Sequence, residues 1–471
     1  MPEIGSRLRA RPQASCTACC AGVVVLSLAM FALAGCSGTR ETVGEGPDSE
    51  ESAEAPQDPD EEVATRDTTR LPVPRYVPRA VAPDERSEAA DQDPEAASLG
   101  GMLPDVSESF RSRFQLDSPE WFLGIGRGFV RLSGCDGALV SPEGLVVTSR
   151  SCLSLVLGPA HALLQDAFLA DTRQSEGRID ELTAAVVTDV LDLTAAARER
   201  VRGGVSVDDA LAALRDSLTD ARPLRAVVTY ANSDSSFAGI AYDLHQDVRL
   251  VFLPHPELAE FGGDFDAGSF PQYKMDVAFL RLYDGGAAAQ TPEHYTWLTD
   301  TAAQDARLFL LGSAPASTLD RRALGDATLQ PLWVAGGTLQ PIPTFGTSIP
   351  ERASFYGLYD RYHSFDGRAP WSLPQTWADP PSDFPFWMPA SIAPTNPRIE
   401  GTLGGPLLDE RRRVWGVVYD DNEEMVTFPL GEVRAPRAVA VSSVGLTEVL
   451  RRIYQAEALV FELEAGANAG D

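Results

Sequence analysis

Histidine is scarce in this chain. There are five in 471 residues, and none lies in a His-Glu-x-x-His string or among cysteines at metal-ligand spacing. Zinc-type metal chemistry therefore has no support, and the absence of a Gly-x-x-x-x-Gly-Lys-Ser/Thr loop removes nucleotide phosphates in the same way. Neither a metal nor a cofactor is expected. Positive charge is also short: 39 Lys+Arg face 68 Asp+Glu, a formal charge of −29. That field repels phosphate backbones and anionic lipid surfaces alike, so nucleic-acid binding is excluded as a function class. Of six cysteines, Cys16, Cys19, Cys20 and Cys36 crowd into the N-terminus and only Cys135 and Cys152 lie in the body. At most one disulfide can be structural. Long apolar runs are missing too, since the stretch from Val23 to Ala32 is too short to cross a bilayer.

What the N-terminus does contain is an export signal. Arg7, Arg9 and Arg11 precede the apolar Val23–Ala32 stretch, and Leu33-Ala34-Gly35-Cys36 follows at once. Small residues before a cysteine at the end of a short apolar region form a lipobox, whose cysteine is diacylated before cleavage. Residues 1–35 are thus expected to be a lipoprotein signal peptide, with Cys36 carrying the lipid. The mature chain would sit in a bacterial cell envelope, at the outer membrane or its periplasmic face, attached through the lipid alone. That compartment is oxidising, and Cys135 and Cys152 can pair there. From residue 37 to 99 the composition turns to Glu, Asp, Pro, Ser and Ala, with 17 acidic and 6 basic side chains. Such a stretch cannot bury enough apolar surface to offset its ordering entropy, so residues 36–99 read as an acidic, Pro-rich disordered tether.

The folded body is expected over 100–465, followed by a tail at 466–471. Short β-branched runs at Gly128–Leu132, Gly137–Val140 and Gly144–Thr148, turning at Ser141-Pro142-Glu143-Gly144, read as a hairpin of a β-rich domain. Further strand signals occur at Ala226–Tyr230, Val248–Leu253, Val277–Tyr283, Leu308–Leu311 and Val414–Tyr419. Apolar residues at helical spacing (Leu182, Val186, Val190, Leu193, then Val207, Ala210, Leu211, Leu214) predict a helical insertion over about 160–220. Residues 326–396, rich in Pro and aromatics with little periodicity, read as long ordered loops, and one amphipathic helix is expected over Val444–Leu459.

Three fragments carry chemistry by their order. Cys135 and Cys152 flank a hairpin in Gly134-Cys135-Asp136-Gly137 through Ser149-Arg150-Ser151-Cys152; Met275-Asp276-Val277-Ala278-Phe279 puts an acid at the head of an apolar strand; and Gly401-Thr402-Leu403-Gly404-Gly405-Pro406 has the frame of a nucleophile turn. Gly401 allows a tight loop whose N–H groups can point into an oxyanion hole. The order is that of trypsin-fold serine peptidases. In particular the chain resembles the bacterial dipeptidyl peptidases seven and eleven from Gly101 to Leu463. Besides those fragments the likeness rests on Gly101-Met102-Leu103-Pro104-Asp105, Asp166-Ala167-Phe168-Leu169-Ala170, Gln246–Val251, Phe261-Gly262-Gly263-Asp264 and Val418-Tyr419-Asp420-Asp421-Asn422. The resemblance implies a mainly β fold, a trypsin-like double β-barrel with a short helical insertion and a C-terminal helix.

The same resemblance implies a damaged catalytic site. The family's general-base histidine directly precedes the second cysteine of the hairpin, and that position holds Ser151. Its nucleophilic serine is third in the glycine turn, where this chain has Leu403; only Asp276 remains of the triad. The Asn-Trp pair that grips the substrate amine aligns with Ala267 and Gly268, while Asp420 keeps the position of a third, substrate-binding acid. From Asp276 to Leu403 the chain is too short for the family's large helical cap, which leaves Pro341–Pro394 as a reduced lid. His161 is the histidine nearest the hairpin, and Thr402 and Ser151 are the substitute nucleophiles to weigh. The expected function is a lipid-anchored, catalytically impaired homologue that binds a peptide or protein ligand; the alternative is a dipeptidyl aminopeptidase working with non-standard residues. The sequence leaves a homodimer open. Cys36→Ser is expected to abolish incorporation of labelled fatty acid and to release the protein from the membrane fraction, because stable attachment needs the acyl chains. Unchanged fractionation, with no label in the parent, would show that the lipobox reading is wrong.

Overall fold

A computed structural model describes residues 101–103, 106–116, 118–220, 225–231, 236–291, 293–299, 306–314, 329–344, 347–397, 403–422 and 436–468. The signal and tether (1–99, with Cys36), Gly401, Thr402 and the last three residues of the tail lie outside these.

The body is built on two large sheets whose neighbours are antiparallel, apart from a short parallel pairing of Thr296–Trp297 with Arg413–Val414. In the first sheet the strands run, in spatial order, Phe168–Leu169, Asp247–Leu253, Ala278–Asp284, Leu145–Thr148, Cys135–Leu139, Phe129–Leu132, Ala184–Asp192, Phe237–His245 and Arg225–Ala231. The second orders Gly101–Met102, Leu332–Thr338, Arg307–Ser313, Pro406–Asp409, Arg413–Asp421, Ala438–Ser442, Pro389–Ile392 and Arg352–Ser354. A mainly β fold with inserted helices is what the sequence led us to expect, and the hairpin signals fall on real strands.

The central hairpin shows how local chemistry sets this up. Ser141 Oγ accepts from the Glu143 and Leu145 amides, and Gly144 takes φ +73°, so the turn closes in a conformation that side chains resist. Both flanking strands are buried on both faces, which explains why they read as apolar runs and not as an alternation. Phe129, Phe252, Phe279, Trp297 and Phe309 fill the core shared by the two sheets. A smaller cluster (Val130, Leu132, Cys135, Val146, Cys152, Leu153, Leu280) packs around the disulfide.

Cys135 and Cys152 are bonded, with Cα atoms 5.7 Å apart across a separation of 17 residues. Closing a loop of that length contributes about 3 kcal/mol in the chain-entropy account. The bridge ties the second hairpin strand's partner to the helix Arg150–Leu157, which starts where the hairpin ends. That helix is capped by Ser149, whose hydroxyl accepts from the Cys152 amide at 3.0 Å.

Three sequence expectations need correction. Helices Thr194–Arg202 and Val207–Thr219 do lie within the expected insertion, but Ala184–Asp192 is a nine-residue strand. The spacing of four that joins Leu182, Val186 and Val190 is also a multiple of two, and a run with Val186, Val187, Thr188 and Val190 favours the sheet. The single C-terminal helix is two, Ser443–Arg452 and Glu457–Asn468, broken near Gln455, which adopts φ 52°. The 326–396 span is far from loop throughout: it holds the strands Leu332–Thr338 and Pro389–Ile392 and the helix Phe355–Ser364.

Candidate functional site

The site forms where the disulfide, the helix Arg150–Leu157 and the head of the Ala278–Asp284 strand converge. A first-turn helix residue has an amide with no intrahelical acceptor. Ser151 is such a residue, and its N–H donates to Asp276 Oδ1 at 2.8 Å. Its hydroxyl donates to the other oxygen, Oδ2. One carboxylate thus accepts both donors of one residue, 125 positions away, while being only 3% exposed. Burial pushes the Asp276 carboxyl above its ordinary range, and the two Ser151 hydrogen bonds with the Lys274 and Arg150 charges pull it part of the way back. Arg150 is itself buried, donating to the carbonyls of Pro254 and Leu164, which pins the start of the helix.

Leu403 lies in the turn that precedes the strand Pro406–Asp409. Its carbonyl accepts from the Asp136 amide at 2.9 Å, and its side chain, half-buried, packs on the apolar cluster that contains Cys135, Cys152 and Leu153. The turn after it depends on Gly404, at φ +83°, where a Cβ would stand 2.2 Å from both the Asp136 carbonyl oxygen and Thr148 Oγ1. Only glycine lets that turn approach the hairpin. Gly401 and Thr402 lie outside the described residues.

Asp420 is on the strand Arg413–Asp421, beyond the turn, and Lys274 Nζ stands 3.7 Å from its Oδ2. Ala267 and Gly268 follow the short helical turn Gly263–Asp266, and neither has a polar side chain to offer. The segment expected as a lid touches this turn: the Gly262 amide donates to the Pro370 carbonyl at 2.9 Å. His161 stands at the head of a 3-10 turn, its Nδ1 accepting from the Leu163 amide, and is occupied locally. Among the described residues no group of three or more metal-ligating side chains occurs.

Chemically, the Ser151–Asp276 pair holds a hydroxyl proton between an alcohol and a carboxylate. Ser151 is a donor here, with no imidazole to carry a proton onward. The alcohol is far less acidic than even a raised carboxyl, so the pair does not generate an alkoxide.

This arrangement of hairpin disulfide, buried strand-head acid and glycine turn has relatives. Residues 126–324 and 299–465 match the family described as peptidase S46. The chain belongs to that family. It is 27% identical over 177 residues to the dipeptidyl-peptidase 7 of Porphyromonas gingivalis, covering 35% of this chain and 24% of that protein. It is 30% identical over 183 residues to the Asp/Glu-specific dipeptidyl-peptidase of Shewanella putrefaciens, covering 35% and 24%. The chain therefore spans about a quarter of the length of the curated relatives it matches. In fold it is similar to the crystal structure of Porphyromonas endodontalis DPP11 in complex with the dipeptide Arg-Glu, with a TM-score of 0.57 at 11% identity over 72% of this chain and 94% of that one.

For this S46 chain, three participants escaped the sequence reading. Lys274 is the only lysine in the molecule, a signal that composition held but that the pooled count of basic residues hid. Asp266 is 5% exposed and joins the same neighbourhood, where burial raises its carboxyl and Arg361 and Lys274 oppose the rise. Ser313 binds Asp136 across the two sheets, a pairing 177 residues apart that no local pattern announces.

Because burial wins at Asp276, its folded-state pKa lies above its unfolded one, and its contribution to stability grows as pH falls from neutral through that raised value. Ser151→Ala strips the ionised carboxylate of its hydroxyl donor. Urea denaturation is expected to show a loss of about 1–3 kcal/mol at pH 7 that shrinks as the pH falls and the carboxyl takes up its proton. A loss that does not change with pH would contradict this assignment.

Proposed function

We propose that this S46 chain is a lipid-anchored envelope protein whose peptidase chemistry is impaired and which serves as a binding module for a peptide or protein. The observation that carries the reading is the pair of substitutions at the reacting positions: Ser151, whose hydroxyl is spent on Asp276, and Leu403, which offers hydrocarbon where a nucleophile is needed. Losing either a base or a nucleophile removes roughly four to six orders of magnitude of turnover, and what remains comes from binding and the oxyanion hole. Retained binding capacity is supported by exposed aromatics at and around the Gly263–Asp266 turn. Phe265 is 75% exposed and meets Trp371, which stacks on Phe365 at 3.6 Å. Tyr356 and Trp387 are exposed on the same 347–397 segment. Exposed aromatics of this kind mark recognition surfaces more often than chance.

Fluorogenic dipeptidyl substrates with free amino termini are expected to be hydrolysed no faster than background by the unaltered protein. Ser151→His combined with Leu403→Ser would rebuild a triad around Asp276. Its activity is expected to be faint, because Ala267 and Gly268 do not position the substrate amine and poor positioning alone costs about a hundredfold. Robust turnover by the unaltered protein that Ser151→Ala or Thr402→Ala abolishes would replace this reading with that of a working dipeptidyl peptidase using non-standard residues.

A further inference from the structure

Three carboxylates gather around Tyr419 and Lys274. Asp276 is 3% exposed and Asp266 5%, while Asp420 has a side chain 19% exposed. Tyr419, also buried, feels all three carboxylates, and burial together with those charges holds its phenol well above the ordinary range. Facing them is Lys274, with a side chain 14% exposed and its Nζ 3.7 Å from Asp420 Oδ2. Its charge also eases both Asp266 and Asp276. Acceptors still remain. Asp266 Oδ2 closes no well-formed hydrogen bond, although the Trp371 indole N–H stands near enough to hold its carboxyl down. Gln272 is fully buried, and its side-chain oxygen is likewise unpaired although its amide nitrogen donates to the Ser269 carbonyl at 2.7 Å. Buried acceptors left without donors are costly. A cluster of carboxylates and carbonyl oxygen is complementary to a primary ammonium.

We propose that Lys274 is the built-in cation of this carboxylate cluster, its ammonium taking the place that a ligand's amine would take, so that the unaltered protein does not select a peptide by its free amino terminus. The ligand class that follows is an internal or N-blocked peptide segment. Specificity is set here by a tethered cation. The ligand class rests on the binding-module reading, whereas the placing of Lys274 in the cluster does not.

Chemical rescue separates the two. Lys274→Ala empties the position, and its thermal unfolding would be measured in sodium chloride and in propylammonium chloride at equal ionic strength. The variant is expected to melt at least about 2 °C higher in propylammonium, while the unaltered protein, already occupied, melts equally in both salts. Adding Asp420→Asn should reduce the rescue. If Lys274→Ala is unfolded in sodium chloride, folding restored by propylammonium alone carries the same meaning. A variant that neither salt stabilises differently, or an unaltered protein that shifts as much as the variant, overturns the proposal. In a second arm, the unaltered protein is expected to hold glycyl-phenylalaninamide and its N-acetyl form within about twofold of each other, and Lys274→Ala to prefer the free amine at least tenfold. A tenfold preference for the free amine by the unaltered protein also overturns it. Rescue by propylammonium with neither peptide bound leaves the occupancy standing and removes the binding-module reading.

Discussion

The structure turns on one buried carboxylate, that of Asp136. It is fully enclosed, and isolating a charge there would cost several kcal/mol, so it must be paired and hydrogen-bonded. Arg131 Nη1 sits 2.7 Å from Oδ1, the Ser313 hydroxyl donates to that same oxygen at 2.7 Å, and the Ser313 amide donates to Oδ2 at 3.0 Å. Arg131 belongs to the first sheet and Ser313 to the second. The residue's backbone extends the junction, its N–H donating to the Leu403 carbonyl and its carbonyl oxygen accepting from the Thr148 hydroxyl. Its neighbour Cys135 carries the disulfide to the helix bearing Ser151. The Leu403 turn and the helix bearing Ser151 are therefore both tied to the Cys135–Asp136 stretch, and Gly404 is needed because the turn must come this close.

On the reading proposed above, this explains how the frame of a hydrolytic site can persist without its reacting side chains. Asp276 is also buried, and a buried carboxylate needs donors whatever it once did. Ser151 supplies two, from its amide and its hydroxyl, so the acid is satisfied without a histidine. Leucine at 403 suits a turn whose inner side faces the apolar cluster around the disulfide. Retaining Asp276 is thus a requirement of packing and solvation, and its presence is no evidence of turnover. The same reasoning makes Lys274 intelligible, since its charge lies against Asp420 and offsets those of Asp266 and Asp276.

Much of this was legible before the fold was known, and the exceptions have physical causes. The hairpin from Cys135 to Thr148 announced itself through β-branched residues and a turn whose glycine must adopt positive φ. Asp276 and Ser151 could be matched by order along the chain, although nothing local said that the hydroxyl would point at the acid. The strand Ala184–Asp192 was misread because apolar residues four apart satisfy both a helix and a strand face, and the deciding partner, Phe237–His245, lies some fifty residues on. Ser313 and Asp136, like Lys274 and Asp420, are joined by topology alone. Residue type flags such pairs only when a residue is rare, as the chain's one lysine is.

The central claim is that Ser151 is a hydrogen-bond donor to Asp276 and that no activated nucleophile exists beside it. The most direct measurement is intact-protein mass after exposure of the folded protein to a serine-directed fluorophosphonate, with adducts located by peptide mapping. The account predicts an unmodified mass. A stoichiometric adduct on Ser151 or Thr402, formed by the folded protein and lost on prior heat denaturation, would contradict it.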